Sequence, residues 1–136
     1  RIGISGNVLF ELNSDALQAD GEEVLASLVE PLQVYLAEHD ELLMVSGFTD
    51  DLPLLSGNRY EDNWGLSAQR ALTVTRTLIA QGLPEDRVFA AAFGPHQPAV
   101  PNEDAESRAK NRRVEISTVP RAPEDSPTEN SSGAGS

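Results

Sequence analysis

The sequence predicts an α/β chain of the α+β sandwich type: β-α-β-α-β-(short α)-β, with helices packed on a mixed four-stranded sheet. Two observations predict it. Short apolar runs of strand length alternate with longer stretches whose apolar residues recur every three or four positions, the pattern of helices layered on a sheet. The chain has 136 residues, 39% of them hydrophobic, which suits one domain that buries a core without metal or disulfide.

Each element has its own signal. Residues 4–12, ISGNVLFEL, are expected to form the first strand, because Val8 and Phe10 alternate with Leu9 and Glu11. The following NSDAL supplies turn and capping chemistry. From Glu22 to His39, Leu25, Leu28, Val29, Leu32 and Leu36 recur at helical spacing. Pro31 lies inside that run, and its missing N–H predicts a kink or a split into two helices. The continuous apolar run LLMVSGF, 42–48, reads as a central strand covered on both faces. Residues 49–62 show no steady period and read as a loop.

A second helix starts between Asn63 and Ser67, where Asn or Ser can cap it, and carries Ala71, Val74 and Leu78 on its apolar stripe. Gly82 ends it, with Pro84 just beyond. DRVFAAAFG is a third strand of small residues, GPHQPAVPNEDAES a loop and AESRAKNR a short helix. In the last strand, RVEISTV, Val114 and Ile116 face in while Glu115 and Ser117 face out. It is expected to pair antiparallel, whereas parallel neighbours need right-handed crossovers. The folded domain is placed at 1–119. Residues 120–136, rich in Pro, Ser and Gly with almost no apolar mass, read as a disordered acidic tail.

The formal net charge of −12 argues against nucleic acid as a partner, because such binding rests on neutralising phosphates. It argues equally against attachment to an anionic membrane surface. Four of the ten basic residues cluster at Arg108, Lys110, Arg112 and Arg113, and Arg112 is assigned to local neutralisation of an acidic domain. There is no cysteine to report a redox compartment, and no run approaches the roughly 20 apolar residues of a membrane span. The chain opens on Arg1 rather than Met, which reads as a fragment, so membrane attachment is expected only through a missing upstream segment.

Asp50 follows the presumed central strand, and Arg70 lies near the start of the next helix. In a β-loop-α unit these two ends meet at one edge of the sheet, where open α/β sheets place ligands. A carboxylate and a guanidinium facing one pocket suit a zwitterion: Asp50 takes an ammonium and Arg70 a carboxylate through a two-pronged contact. Spacing alone favours the blander alternative, a structural ion pair between the two.

Five pieces in order, VLFELNSDAL, GFTD, LSAQRA, FAAAFG and KNRRVEI, resemble the OmpA-like peptidoglycan-binding domain from Val8 to Ile116. TDDLPL followed by NWGLS makes the likeness strongest to the periplasmic domain of MotB-type flagellar stator proteins. The resemblance implies non-catalytic binding of the peptidoglycan stem peptide through meso-diaminopimelate, whose distal carbon carries one ammonium and one carboxylate. It places the ligand Asp at Asp50 and the ligand Arg at Arg70, a contacting turn at Leu12 and Asn13, and Thr49, Asn63, Leu66 and Arg113 near the site. It further implies a periplasmic location, an inner-membrane anchor for the parent protein, a homodimer and no cofactor. Two departures stand out: Phe48 where His or Tyr is common, and Pro95 directly after Gly94.

Other classes are weaker. The same domain type serves as the anchor of OmpA-family outer-membrane proteins or lipoproteins, which an upstream lipobox or β-barrel would identify. A cell-wall hydrolase would use a carboxylate pair from Asp50, Asp51, Glu61 and Asp62, but no oriented acid or nucleophile-base pair can be named. His39 and His96 fall in different loops, so no metal site is expected. Trp64 is expected in the core or as a staple at the helix start rather than on a sugar. Leu52, Leu54 and Leu55 offer a minor alternative as a lid.

Overall fold

The computed structural model describes residues 1–54, 60 and 62–121. The elements are β1 (Ile2–Ser5), α1 (Gly6–Leu9), α2 (Ala19–Glu38), β2 (Glu41–Phe48), α3 (Asn63–Ala80), β3 (Val88–Gly94), α4 (Ala105–Asn111) and β4 (Arg113–Pro120). The sheet order is β1-β4-β2-β3. β2 and β3 are parallel neighbours, and β4 runs antiparallel to both β2 and β1, so the sheet is mixed.

The core lies between one sheet face and helices α2 and α3. Leu25, Val29, Leu32 and Leu36 form the buried stripe of α2, and Ala71, Val74 and Leu78 that of α3. They close on Leu43 and Val45 of β2 and on Val114 and Ile116 of β4. β3 places Val88 beside Leu43 and Ala90 beside Val45, so its small residues sit under α3.

Three expectations are corrected. The segment 4–12 is not one strand. Ile2–Ser5 pairs with β4, Ser5 then caps a single helical turn, its hydroxyl accepting from the Asn7 N–H at 3.2 Å, and beyond that turn Phe10 makes only an isolated bridge to Leu17. The Gln18 carboxamide donates to the carbonyls of Asn7 at 2.7 Å and Phe10 at 2.9 Å, which holds that turn shut. Secondly, Pro31 does not split α2, which runs unbroken over twenty residues. Pro31 sits on the exposed side, where water can satisfy the carbonyl it leaves without a donor. Thirdly, Asp62 rather than Asn63 or Ser67 caps α3, accepting from the Gly65 N–H at 2.9 Å.

At the far end of α3 the Leu83 N–H returns to the Leu78 carbonyl at 3.1 Å, with Gly82 just past the cap. β4 continues through Pro120, opposite Glu41. The remainder of the tail, from 122 onward, lies outside the described residues.

Candidate functional site

Two local features bring the site together. The β2–β3 register shifts between Gly47 and Phe48, at the end of the strand that leads to Asp50. Beside that shift α3 comes close: a Cβ on Gly47 would stand 2.2 Å from the Ser67 carbonyl oxygen. Only glycine permits the approach. The Ser67 hydroxyl accepts the Gly94 N–H at 3.1 Å, which ties α3 to the end of β3. The helix carrying Arg70 is therefore set rigidly against the strand that ends at Asp50.

Asp50 is buried, and its carboxylate is held twice. One oxygen accepts the Leu52 N–H at 3.0 Å, and the other accepts from the Arg112 guanidinium at 2.5 Å. Thr49 is fixed by its N–H to the Gly94 carbonyl at 2.9 Å, and its hydroxyl donates to the Asp50 carbonyl at 2.9 Å. The Asn63 carboxamide donates to the Leu52 carbonyl at 2.9 Å, pinning the start of the loop.

Arg70 is also buried. Its Nε donates to the Ser14 carbonyl at 2.8 Å, and its guanidinium carbon lies 4.9 Å from the centre of the Phe10 ring. Its two terminal nitrogens have no hydrogen-bond partner among the described residues. Burial, with the nearby Arg112 charge, pushes its pKa down to about 10, while Tyr60, Asp15 and Asp50 pull the other way. It remains charged at neutral pH. No ion pair joins Asp50 to Arg70 among the described residues; the salt bridge of Asp50 is to Arg112.

Asp50, Arg70 and Arg112 share a cavity of about 580 Å³. Thr49, Asn63 and Leu66 line it, as do Leu12 and Asn13 from the turn after α1. Asn13 adopts φ +52°, a left-handed conformation that Asn tolerates better than most residues, and Leu12 beside it is 88% exposed. Leu52 and Leu54 form part of the rim, while Leu55 and Glu61 lie outside the described residues.

Arg113, expected near the site, lies on the opposite sheet face. It pairs with Glu115 at 2.6 Å and stacks over Phe48 at 3.8 Å. Arg112 takes the place beside Asp50. The strand alternation carried this signal: with Val114 and Ile116 inward, Arg113 must share the outward face of Glu115. Trp64, expected in the core or as a staple at the helix start, is not in the core but half-exposed.

A buried acid and two cations meet at one edge of a mixed sheet, with no nucleophile-base pair among them. Such a cluster has the charges to pair with a charged ligand. The OmpA family model matches residues 9–112, and the chain belongs to the OmpA family. It is 34% identical over 119 residues to motility protein B of Helicobacter pylori, covering 83% of this chain and 43% of that protein. It thus spans less than half of that relative's length. The periplasmic domain of Helicobacter pylori MotB superposes with a TM-score of 0.80 at 32% identity, over 89% of this chain and 82% of that one. The cell wall anchor of the T6SS from Pseudomonas aeruginosa gives 0.75 at 32% identity, over 86% and 78% respectively.

Proposed function

We propose that this domain is a non-catalytic anchor that binds the stem peptide of cell-wall peptidoglycan in the periplasm, through the distal end of meso-diaminopimelate. One observation carries the reading: the buried guanidinium of Arg70 has terminal nitrogens without a hydrogen-bond partner among the described residues, in a cavity that also holds the Asp50 carboxylate. A structural ion pair would have satisfied both groups. A ligand bearing an ammonium and a carboxylate on one carbon satisfies them instead, the ammonium at Asp50 and the carboxylate forked on Arg70. Arg112 orients the Asp50 carboxylate and leaves the cluster with one net positive charge, which favours a carboxylate-bearing peptide end in an otherwise acidic domain.

The parent assembly proposed is a MotB-type flagellar stator, anchored through the inner membrane and working as a dimer. The likeness to motility protein B supports it. The cell wall anchor among the structural neighbours supports the anchoring role.

Co-sedimentation with purified sacculi tests the anchor. The protein is expected in the pellet with no soluble muropeptide released. Calorimetry tests the ligand: a stem peptide with diaminopimelate is expected to bind, and its lysine counterpart, lacking the distal carboxylate, to bind far more weakly. Equal affinity for the two peptides would refute the assignment of Arg70.

A further inference from the structure

Trp64 is the chain's only tryptophan, and the fold leaves it 48% exposed at the start of α3. Its position is nonetheless built. The indole lies against Gly94, where a Cβ would stand 3.3 Å from Cδ2 of the ring, and Gly94 takes φ +58°. The His96 ring supports it at 5.0 Å between centroids, tilted by 31°. The corner after β3 thus buttresses a large apolar plate that the core does not use.

Beside that plate is a shallow cavity of about 360 Å³ bordered by Asp51, Asp62 and Pro95. It shares Pro53, Leu54 and Asn63 with the cavity of Asp50 and Arg70, so the two adjoin across these residues. Asp51 accepts the Arg108 Nε at 3.0 Å through one oxygen, and Asp62 caps α3 through one oxygen. The second oxygen of each has no hydrogen-bond partner among the described residues.

An aromatic face flanked by carboxylate acceptors matches the chemistry of a pyranose. The ring's C–H face is apolar and packs on an indole, while its hydroxyl and amide N–H groups donate at the edges. The acidic rim disfavours an anionic occupant and favours a neutral, donor-rich one. We propose that the Trp64–His96 shelf is a second subsite, which takes a sugar ring of the glycan strand to which the stem peptide is joined. This rests on the function proposed above and extends it from the peptide to the glycan. The two adjoining cavities then read the two parts of one polymer.

The test compares two ligands by calorimetry: the diaminopimelate stem peptide alone, and the same peptide on its disaccharide. The wild-type protein is expected to bind the disaccharide form about tenfold more tightly, the scale of one good aromatic contact. Trp64→Ala is expected to bring the two ligands to parity while changing the affinity of the free peptide by no more than about twofold. Trp64→Phe, which keeps an aromatic face, should retain part of the preference. Because Trp64 is the only tryptophan, the disaccharide form should also shift its emission more than the free peptide does. Equal wild-type affinity for the two ligands overturns the subsite while leaving the peptide pocket standing. So does a Trp64→Ala loss that is the same for both. If neither ligand binds, the peptide pocket and the subsite fall together. Should Trp64→Ala fail to fold, the wild-type ligand comparison and Trp64→Phe decide the matter.

Discussion

Replacing Arg70 by Met should abolish ligand binding yet leave the unliganded domain about as stable as before. The guanidinium is buried, and its pKa falls to about 10, so holding the charge there costs the empty fold on the order of 3 kcal/mol. Two contacts offset that cost. The charged hydrogen bond to the Ser14 carbonyl contributes about 1.5–3 kcal/mol, and the stacking on Phe10 about 0.5–1 kcal/mol. Met keeps most of the aliphatic stem's packing and removes both the cost and the contacts. The net change is expected to stay within about 1 kcal/mol, which is about 4 °C in Tm for a domain of this size.

Urea unfolding at pH 7 measures it. The sign with pH follows from the same shift. Below pH 10 the guanidinium is protonated in the folded and unfolded chains alike, and the cost is present in full. Above about pH 10 the unfolded chain holds more protons, so wild-type stability gains a rising contribution that Arg70→Met lacks. A loss of about 3–5 kcal/mol in the variant at pH 7, the penalty for breaking a buried pair, would refute the reasoning and make Arg70 a structural residue.

Asp50→Ala should weaken binding of the diaminopimelate peptide by about 2–5 kcal/mol in calorimetry, because it removes the partner of a desolvated ammonium. Arg112→Ala leaves the buried Asp50 carboxylate without its ion-pair partner, so a smaller loss of about tenfold is expected in the same titration, together with a lower urea midpoint. Gly47→Ala forces a methyl group against the Ser67 carbonyl and should destabilise the domain by at least about 1–3 kcal/mol, seen as a lower urea midpoint. Asn111 is fully buried, with its carboxamide bonded to the N–H groups of Ala99 and Val100, the Val100 carbonyl and Asn102. Asn111→Ala should lower the unfolding free energy by about 1–3 kcal/mol, because those groups lose their partner.

The helical stripes were legible because burial repeats with the helix itself: Leu25, Val29, Leu32 and Leu36 fall on one face whatever packs against it. The alternation of Val114 and Ile116 marked β4 in the same way. Resemblance of short motifs supplied Asp50 and Arg70, which the fold brings into one cavity with Thr49, Asn63, Leu66, Leu12 and Asn13. The first turn was not legible. Val8 to Leu12 carries a plausible strand pattern, but Gln18, some ten residues on, donates to the carbonyls that a strand would have paired. That Pro31 leaves α2 in one piece was not legible for a related reason, since its cost depends on whether the freed carbonyl meets water.

The sequence by itself determined the two long helices, the strands that follow them, their order and the residue chemistry available at one sheet edge, because periodicity and turn residues act over a few neighbouring positions. Tertiary structure decided which charge meets which. Asp50 is held by Arg112, 62 positions away, while Arg70 turns to Ser14 and Phe10 and keeps its terminal nitrogens for the cavity. Arg113, next to Arg112 in the chain, faces the other side of the sheet. Ion pairing depends on distances and desolvation created when α3 closes over Gly47 and β4 slots beside β2, and no local pattern carries those distances.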